Sequence, residues 1–132
     1  FGAPWIDSGS LAEQMNNLNL DGVLFKPTTY MPESIPGVAD KPKYQDINVN
    51  GLELILTDRD KFRPLKTVIK LLSELNNQYP DQFEMRDYLE KLIGVRTLRQ
   101  ILESNDNVDD LLTEWDKNNE RFKALRKKYL IY

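Results

Sequence analysis

Apolar residues recur along this chain at two spacings, and the spacing changes with position. Leu11, Met15 and Leu18 stand at i, i+4 and i+7, one stripe of a helix. Ser10 precedes the stripe as N-cap and Glu13 follows three residues later, the capping-box spacing, so a helix is predicted over 10–18. Asp21-Gly22 is a turn signal. Val23 to Met31 is rich in Val, Phe, Thr and Tyr, with Val23, Phe25 and Thr29 on one face, and reads as a strand. Pro27 lacks the amide donor of a central strand, which puts this one at an edge or a bulge.

Pro32 to Pro42 holds Pro32, Pro36, Gly37 and Pro42 and reads as a surface loop of the kind that borders functional surfaces. Tyr44 to Asn48 is expected to be a short strand, and Asn50-Gly51 is a strong two-residue hairpin signal. Leu52 to Thr57 is nearly continuously apolar and reads as the central strand, covered by helices. After Asp58-Arg59-Asp60 the period becomes helical. Pro64 fits a first helical position, and Leu65, Val68, Ile69, Leu72 and Leu75 form a stripe that ends at Tyr79-Pro80-Asp81.

Three more helices are expected. One spans Arg86 to Ile93 and stops at Gly94; one spans Val95 to Glu103 with Leu98, Ile101 and Leu102 inward. The last starts at Asn107 as N-cap and runs to about Lys128, burying Val108, Leu111, Leu112, Trp115, Phe122, Leu125 and Tyr129. Strands grouped early and helices grouped late predict an α+β fold: a small, mostly antiparallel sheet with about five helices and an all-helical C-terminal half, in a single domain over 1–132.

Composition narrows the chemistry. The 132 residues are 40% hydrophobic and 30% charged, an ordinary globular balance. The net charge of −3 argues against a dedicated nucleic-acid binder. There is no histidine and no cysteine, which excludes triad chemistry, a histidine base, disulfides and His/Cys zinc sites. No run approaches the 18 apolar residues of a membrane span. The start at Phe1 reads as a piece cut from a longer protein.

Two acidic stretches have the look of calcium loops. From Asp58 the fifth and sixth positions are Phe62 and Arg63, and from Asn105 the sixth is Asp110 where glycine is required, so neither fits. No metal or cofactor is expected. The basic run Arg121, Lys123, Arg126, Lys127, Lys128 suits the negative end of a helix. Paired carboxylates could cleave a glycosidic bond, but 21 acidic residues nominate no pair, so no catalytic residue is assigned. Trp5, Tyr30, Tyr44 and Tyr88 are aromatics able to stack on a sugar ring.

A ligand surface is expected where the end of the central strand, Thr57 to Asp60, meets the proline-rich loop, with Asp58, Arg59, Tyr30 and Trp5 as substrate-binding residues. The competing expectation is that Asp58 and Arg59 pair with each other or cap the next helix.

An ordered set of residues carries a resemblance: Gly2-Ala3-Pro4-Trp5 and Asp7; Gly22-Val23, Phe25 and Pro27; Gly51 and the strand ending Thr57-Asp58-Arg59-Asp60; Phe62-Arg63-Pro64; Leu71-Leu72; Tyr79-Pro80 and Phe83; Leu92 and Gly94; Leu98-Arg99 and Leu102; Trp115, Phe122, Arg126 and Tyr129 to Tyr132. Together they resemble the C-terminal part of the NamZ-type exo-β-N-acetylmuramidase family, long catalogued as a bacterial domain of unknown function. The chain departs from it at Asp46 to Val49, where members often carry cysteine.

The resemblance implies a glycosidase that removes N-acetylmuramic acid from the non-reducing end of peptidoglycan fragments in cell-wall turnover. It implies that a larger N-terminal Rossmann-like part carries the catalytic groups, and that this chain is the accessory part that helps shape the cleft, inactive alone. It also implies a periplasmic or extracellular parent protein, often lipid-anchored. On that reading the partners are the N-terminal part and, through the whole protein, a peptidoglycan fragment. Phe1 to Ile6 is then expected to lie against the N-terminal part with Trp5 partly exposed. The alternative is a non-catalytic binding or interaction module for another partner; an independent metal-dependent hydrolase ranks last.

Overall fold

The structure, a computed structural model, describes residues 1–94, 98–104 and 108–131. It is α+β, with a three-stranded antiparallel sheet followed by helices. The chain falls into two compact units, Phe1–Glu84 and Met85–Tyr132.

In the first unit, β1 (Gly2–Ala3), β2 (Val23–Tyr30) and β3 (Val49–Leu56) pair in the order β1-β3-β2, so β3 is central as its apolar run predicts, but helices do not cover all of it, since Leu54 and Leu56 are exposed. The helices are α1 (Ser8–Asn17) and α2 (Pro64–Gln78). Ala3, Ile6, Leu11, Ala12, Met15, Val23, Phe25, Leu52, Leu71 and Leu75 form one buried cluster joining the sheet to both helices. The Leu11–Met15 stripe is fully buried, and Leu18 packs at its edge.

The helix begins earlier than the capping-box spacing predicts. Asp7 is the N-cap, its Oδ1 accepting from the amides of Gly9 and Ser10 at 3.1 Å each. A carboxylate there satisfies free amides and meets the positive end of the helix dipole, and Ser10 winds into the first turn instead of capping it.

Two strand expectations fail for reasons visible in the backbone. Tyr44 and Asp46 have φ of 61° and 58°, left-handed values that a pleated strand cannot contain, so Tyr44 to Asn48 is not a strand. Asn50-Gly51 is not a hairpin turn either. Both lie within β3, with Gly51 opposite Gly2 on one side and Thr28 on the other. A Cβ on Gly51 would run into the Phe1 carbonyl, so the glycine is there for close approach of β1. The Pro27 expectation holds, since β2 is an edge strand.

Pro64 does open α2, but its buried residues are Thr67, Ile69, Leu71 and Leu75, while Leu65 and Val68 of the expected stripe are exposed. Thr67 is buried because its hydroxyl donates to the Arg63 carbonyl at 2.9 Å, which satisfies the one polar atom that apolar periodicity penalises. Tyr79 ends the helix as expected.

The second unit holds α3 (Asp87–Ile93), α4 (Leu98–Glu103), α5 (Val108–Arg126) and a 3₁₀ turn at Lys127–Tyr129. Gly94 follows α3 with φ 77°, as a helix-ending glycine should. Leu98 and Leu102 are buried, and Ile101 partly so. The expected start at Val95 and the Asn107 cap lie outside the described residues. In α5 only Val108, Leu111 and Leu112 are buried; Trp115 is half-buried, Phe122 and Leu125 are 60% and 55% exposed, and Tyr129 in the 3₁₀ turn is 71% exposed. The pattern correctly shows which residues share a face, but not how much of that face the unit's own core covers.

Candidate functional site

The sheet register decides which candidate residues can meet. Val23 pairs with Leu56 and Tyr30 with Val49, so these pairs close opposite ends of the β2–β3 ladder. Asp58 and Arg59 follow the Leu56 end and Tyr30 stands at the other. Seven residue steps at about 3.3 Å separate them by roughly 23 Å. The structure therefore does not join Thr57–Asp60 to the proline-rich loop, because that loop leaves β2 from its far end.

At the Asp58 end the carboxylate is committed locally. Its Oδ1 accepts from the amides of Asp60 and Lys61 at 3.0 and 3.2 Å, and its Oδ2 lies 3.4 Å from Lys61 Nζ. The Asp58 carbonyl accepts from the Phe62 amide at 3.0 Å. Asp58 thus caps the turn into α2 and does not pair with Arg59. Arg59 is exposed and makes no hydrogen bond or ion pair among the described residues.

At the Tyr30 end, three segments converge. β1 is antiparallel to β3 and leads the chain toward Pro4 and Trp5 at that end. Tyr30 lies over Gly2, with Cε1 3.2 Å from where a Cβ would stand. The loop from Met31 to Asn48 spans the same end and is internally braced. Asp46 N–H donates to the Pro32 carbonyl at 2.9 Å, the Ser34 hydroxyl to the Asp40 carbonyl at 2.7 Å, and Ile35 bridges Ala39.

Aromatic rings from the β1 exit, this loop and the end of α2 gather around Trp5. The Trp5 and Tyr79 ring centroids are 5.1 Å apart and tilted by 52°. The Tyr79 hydroxyl accepts from the Asp7 amide at 2.9 Å, which fixes its tip. Tyr44 presents its hydroxyl to the Trp5 side chain, and Lys43 Nζ sits 4.8 Å from the Tyr44 ring centroid. The hydrogen bond from Trp5 holds the Tyr44 phenol below its ordinary pKa; slight burial opposes this, and Lys43 adds to it. Trp5, Tyr44 and Tyr79 all pack on the core and stay partly exposed.

The sequence carries no site signal at Tyr79 or Lys43. Tyr79 registers there only as a helix stop, and Lys43 as one cation among many. Tyr88 lies in α3 of the second unit and is exposed. Phe1 to Ile6 is not a free apolar flap, because Ala3 and Ile6 belong to the unit's own core, although Trp5 is partly exposed as expected. Among the described residues, no three His, Cys, Asp or Glu side chains are gathered as a metal set would be. None of their helices is long and apolar enough to cross a membrane.

Comparison with known proteins places this geometry in a lineage. The chain is 34% identical over 134 residues to the peptidoglycan β-N-acetylmuramidase NamZ of Bacillus subtilis (strain 168), matching 100% of this chain and 31% of that protein. The chain thus spans about a third of that relative's length. The crystal structure of a DUF1343 family protein from Bacteroides fragilis NCTC 9343 superposes with a TM-score of 0.80 at 22% identity, covering 100% of this chain and 34% of that one. At that identity the likeness shows the fold. A family model described as "Exo-beta-N-acetylmuramidase NamZ, C-terminal" matches residues 1–132, and the chain belongs to that family of C-terminal domains.

Proposed function

We propose that this chain is the accessory domain of a peptidoglycan-directed glycosidase that removes non-reducing-end N-acetylmuramic acid. On this reading the domain helps to shape the substrate cleft and is not catalytic alone. The observation that carries it is the full-length match to the C-terminal family, combined with a span of only 31% of a muramidase relative. The catalytic groups then belong to the remaining, Rossmann-like part of the parent protein.

The Tyr30 end of the sheet is the face we assign to the cleft. Met31, Ile35, Val38 and Ile47 are exposed on the loop there, apolar surface of the sort that a neighbouring domain covers. Trp5 and Tyr30 belong to this face; Asp58 and Arg59 lie at the other end. Because its substrate is wall material, the parent protein works in the periplasm or outside the cell.

The pure 132-residue chain, assayed on a chromogenic N-acetylmuramide, is expected to give no turnover while full-length parent protein does. Turnover by the isolated chain that one carboxylate substitution abolishes would overturn the accessory role.

A further inference from the structure

We infer that the edge of β3 from Glu53 to Leu56 is the docking strip for an extended peptide, the segment of the parent protein that directly precedes Phe1 and lengthens β1 into a full partner strand. This deepens the proposed function and rests on one part of it, that the chain is the C-terminal domain of a longer protein. β3 pairs with β2 along its whole length, Val49 to Leu56. On its other side β1 pairs only with Asn50 and Gly51. The Leu52 amide then donates to the Phe1 carbonyl at 3.2 Å, so the ladder is still running at Phe1.

Backbone parity identifies the groups on that strip. Along a central antiparallel strand, successive residues turn their N–H and C=O alternately to one neighbour and the other. Leu52 faces β1 by its bond to Phe1, so Leu54 and Leu56 face the same side. Phe25 gives the same parity from across the sheet: it stands opposite Leu54, and its amide and carbonyl are bonded to Asn16, away from β3. Among the described residues, the backbone groups of Leu54 and Leu56 have no partner on the β1 side.

The two flanks of the sheet are treated differently. The open edge of β2 is blunted, with Pro27 withholding a donor and Asn16 occupying both groups of Phe25. Beyond Leu52, β3 carries no proline, and its one charge, Glu53, stands opposite Lys26 in the ladder. The Leu54 and Leu56 side chains are exposed as well. An unblunted apolar edge is a template for strand addition, and main-chain bonds would supply the attraction.

Register and length name the occupant. The family is one of C-terminal domains and the chain spans 31% of a relative, so the remainder of such a parent runs before Phe1. Continuing the pairing of Ala3 with Asn50 and Gly2 with Gly51 sets the second and fourth residues before Phe1 opposite Leu54 and Leu56. Directly opposite residues share a face, so those two positions suit apolar, β-branched or aromatic side chains that cover the leucines. Four residues at about 3.3 Å each, roughly 13 Å, reach the end of β3. The segment is tethered at Phe1, which gives it a high effective concentration over any free strand.

Hydrogen exchange in full-length parent protein, resolved to single amides, tests the pairing. Proline in place of the second residue before Phe1 removes the donor for the Leu54 carbonyl. The Leu54 and Leu56 amides should exchange at least about tenfold faster in that variant than in the unaltered parent. The Ile55 amide, which faces Leu24 of β2, should stay slow in both and report that the sheet persists. Proline at the fourth residue before Phe1 should free Leu56 alone, which keeps the test decisive if the first variant loses the Ile55 protection. Leu54 and Leu56 amides that exchange as fast as unstructured ones in the unaltered parent would overturn the pairing. So would protection that neither proline alters, or protection that fades on dilution, the sign of a second copy on the edge.

These readings do not use turnover, so the two ideas fail separately. A proline-sensitive edge in a parent whose turnover survives removal of residues 1–132 keeps the pairing and ends the accessory role. Free exchange at Leu54 and Leu56, beside turnover lost on that truncation, ends the pairing and keeps the accessory role.

Discussion

Asn16 clamps Phe25 by both of its backbone groups: its Nδ2 donates to the Phe25 carbonyl and its Oδ1 accepts from the Phe25 amide, each at 2.9 Å. Phe25 sits opposite Leu54 but does not spend these groups on β3, so they face the open edge of β2. One carboxamide on α1 thus completes the hydrogen bonding of an edge strand and locks helix to sheet. Pro27, two residues on, faces the same way, and the donor it lacks is one the open edge does not need.

Asn16→Ala should destabilise the first unit by about 1–3 kcal/mol, because two part-buried backbone groups lose their partners. Asn16→Asp should also destabilise, since a carboxylate accepts from the amide but cannot donate to the carbonyl. Urea denaturation followed by circular dichroism checks both; an unchanged midpoint would mean the clamp is not structural.

Gly51→Ala should lower stability by more than about 1 kcal/mol, because the added methyl meets the Phe1 carbonyl and displaces β1. Hydrogen exchange should show the Leu52 amide, which donates to the Phe1 carbonyl at 3.2 Å, losing protection. Retained protection would contradict the assignment of β1.

Tyr44 should ionise below the ordinary tyrosine range, because the Trp5 hydrogen bond and Lys43 favour its phenolate. With the folded pKa below the unfolded one, ionisation adds stability as pH rises through the folded value, and that contribution is lost as pH falls back through it. Ultraviolet titration should show an early phenolate step that Tyr44→Phe removes and that Lys43→Gln moves upward. A titration that Tyr44→Phe and Lys43→Gln leave unchanged would contradict the contact.

Leu111→Ala should destabilise by about 2–5 kcal/mol, as expected for a buried leucine. Phe122→Ala on the same helix and Tyr129→Ala in the 3₁₀ turn after it should stay within about 0.5 kcal/mol, since both side chains are mostly exposed. Equal losses in thermal melts would show that the later turns of α5 are packed.

The legible part of the fold is the part that local rules govern. The Leu11–Met15 stripe, the apolar run of β3, Pro27 at an edge and Gly94 after α3 follow from side-chain period and backbone preference. Asn50-Gly51 misleads because its turn preference is overridden by a distant segment, β1, that needs the space. Thr67 misleads because burial depends on a hydrogen bond that no period reports. The candidate site was legible in its residue types and not in its assembly. Trp5 and Tyr44 stand out as aromatics, but their meeting with Tyr79 depends on the sheet register. That same register sets Asp58 and Tyr30 at opposite ends.

The most direct measurement of the accessory role is complementation. Parent protein lacking residues 1–132 is assayed on the chromogenic N-acetylmuramide, alone and with the 132-residue chain added in trans. The account predicts that kcat/KM is lost on truncation and partly restored by the added chain, with less restoration by its Trp5→Phe and Tyr44→Ala variants. Full kcat/KM in the truncated protein would contradict it.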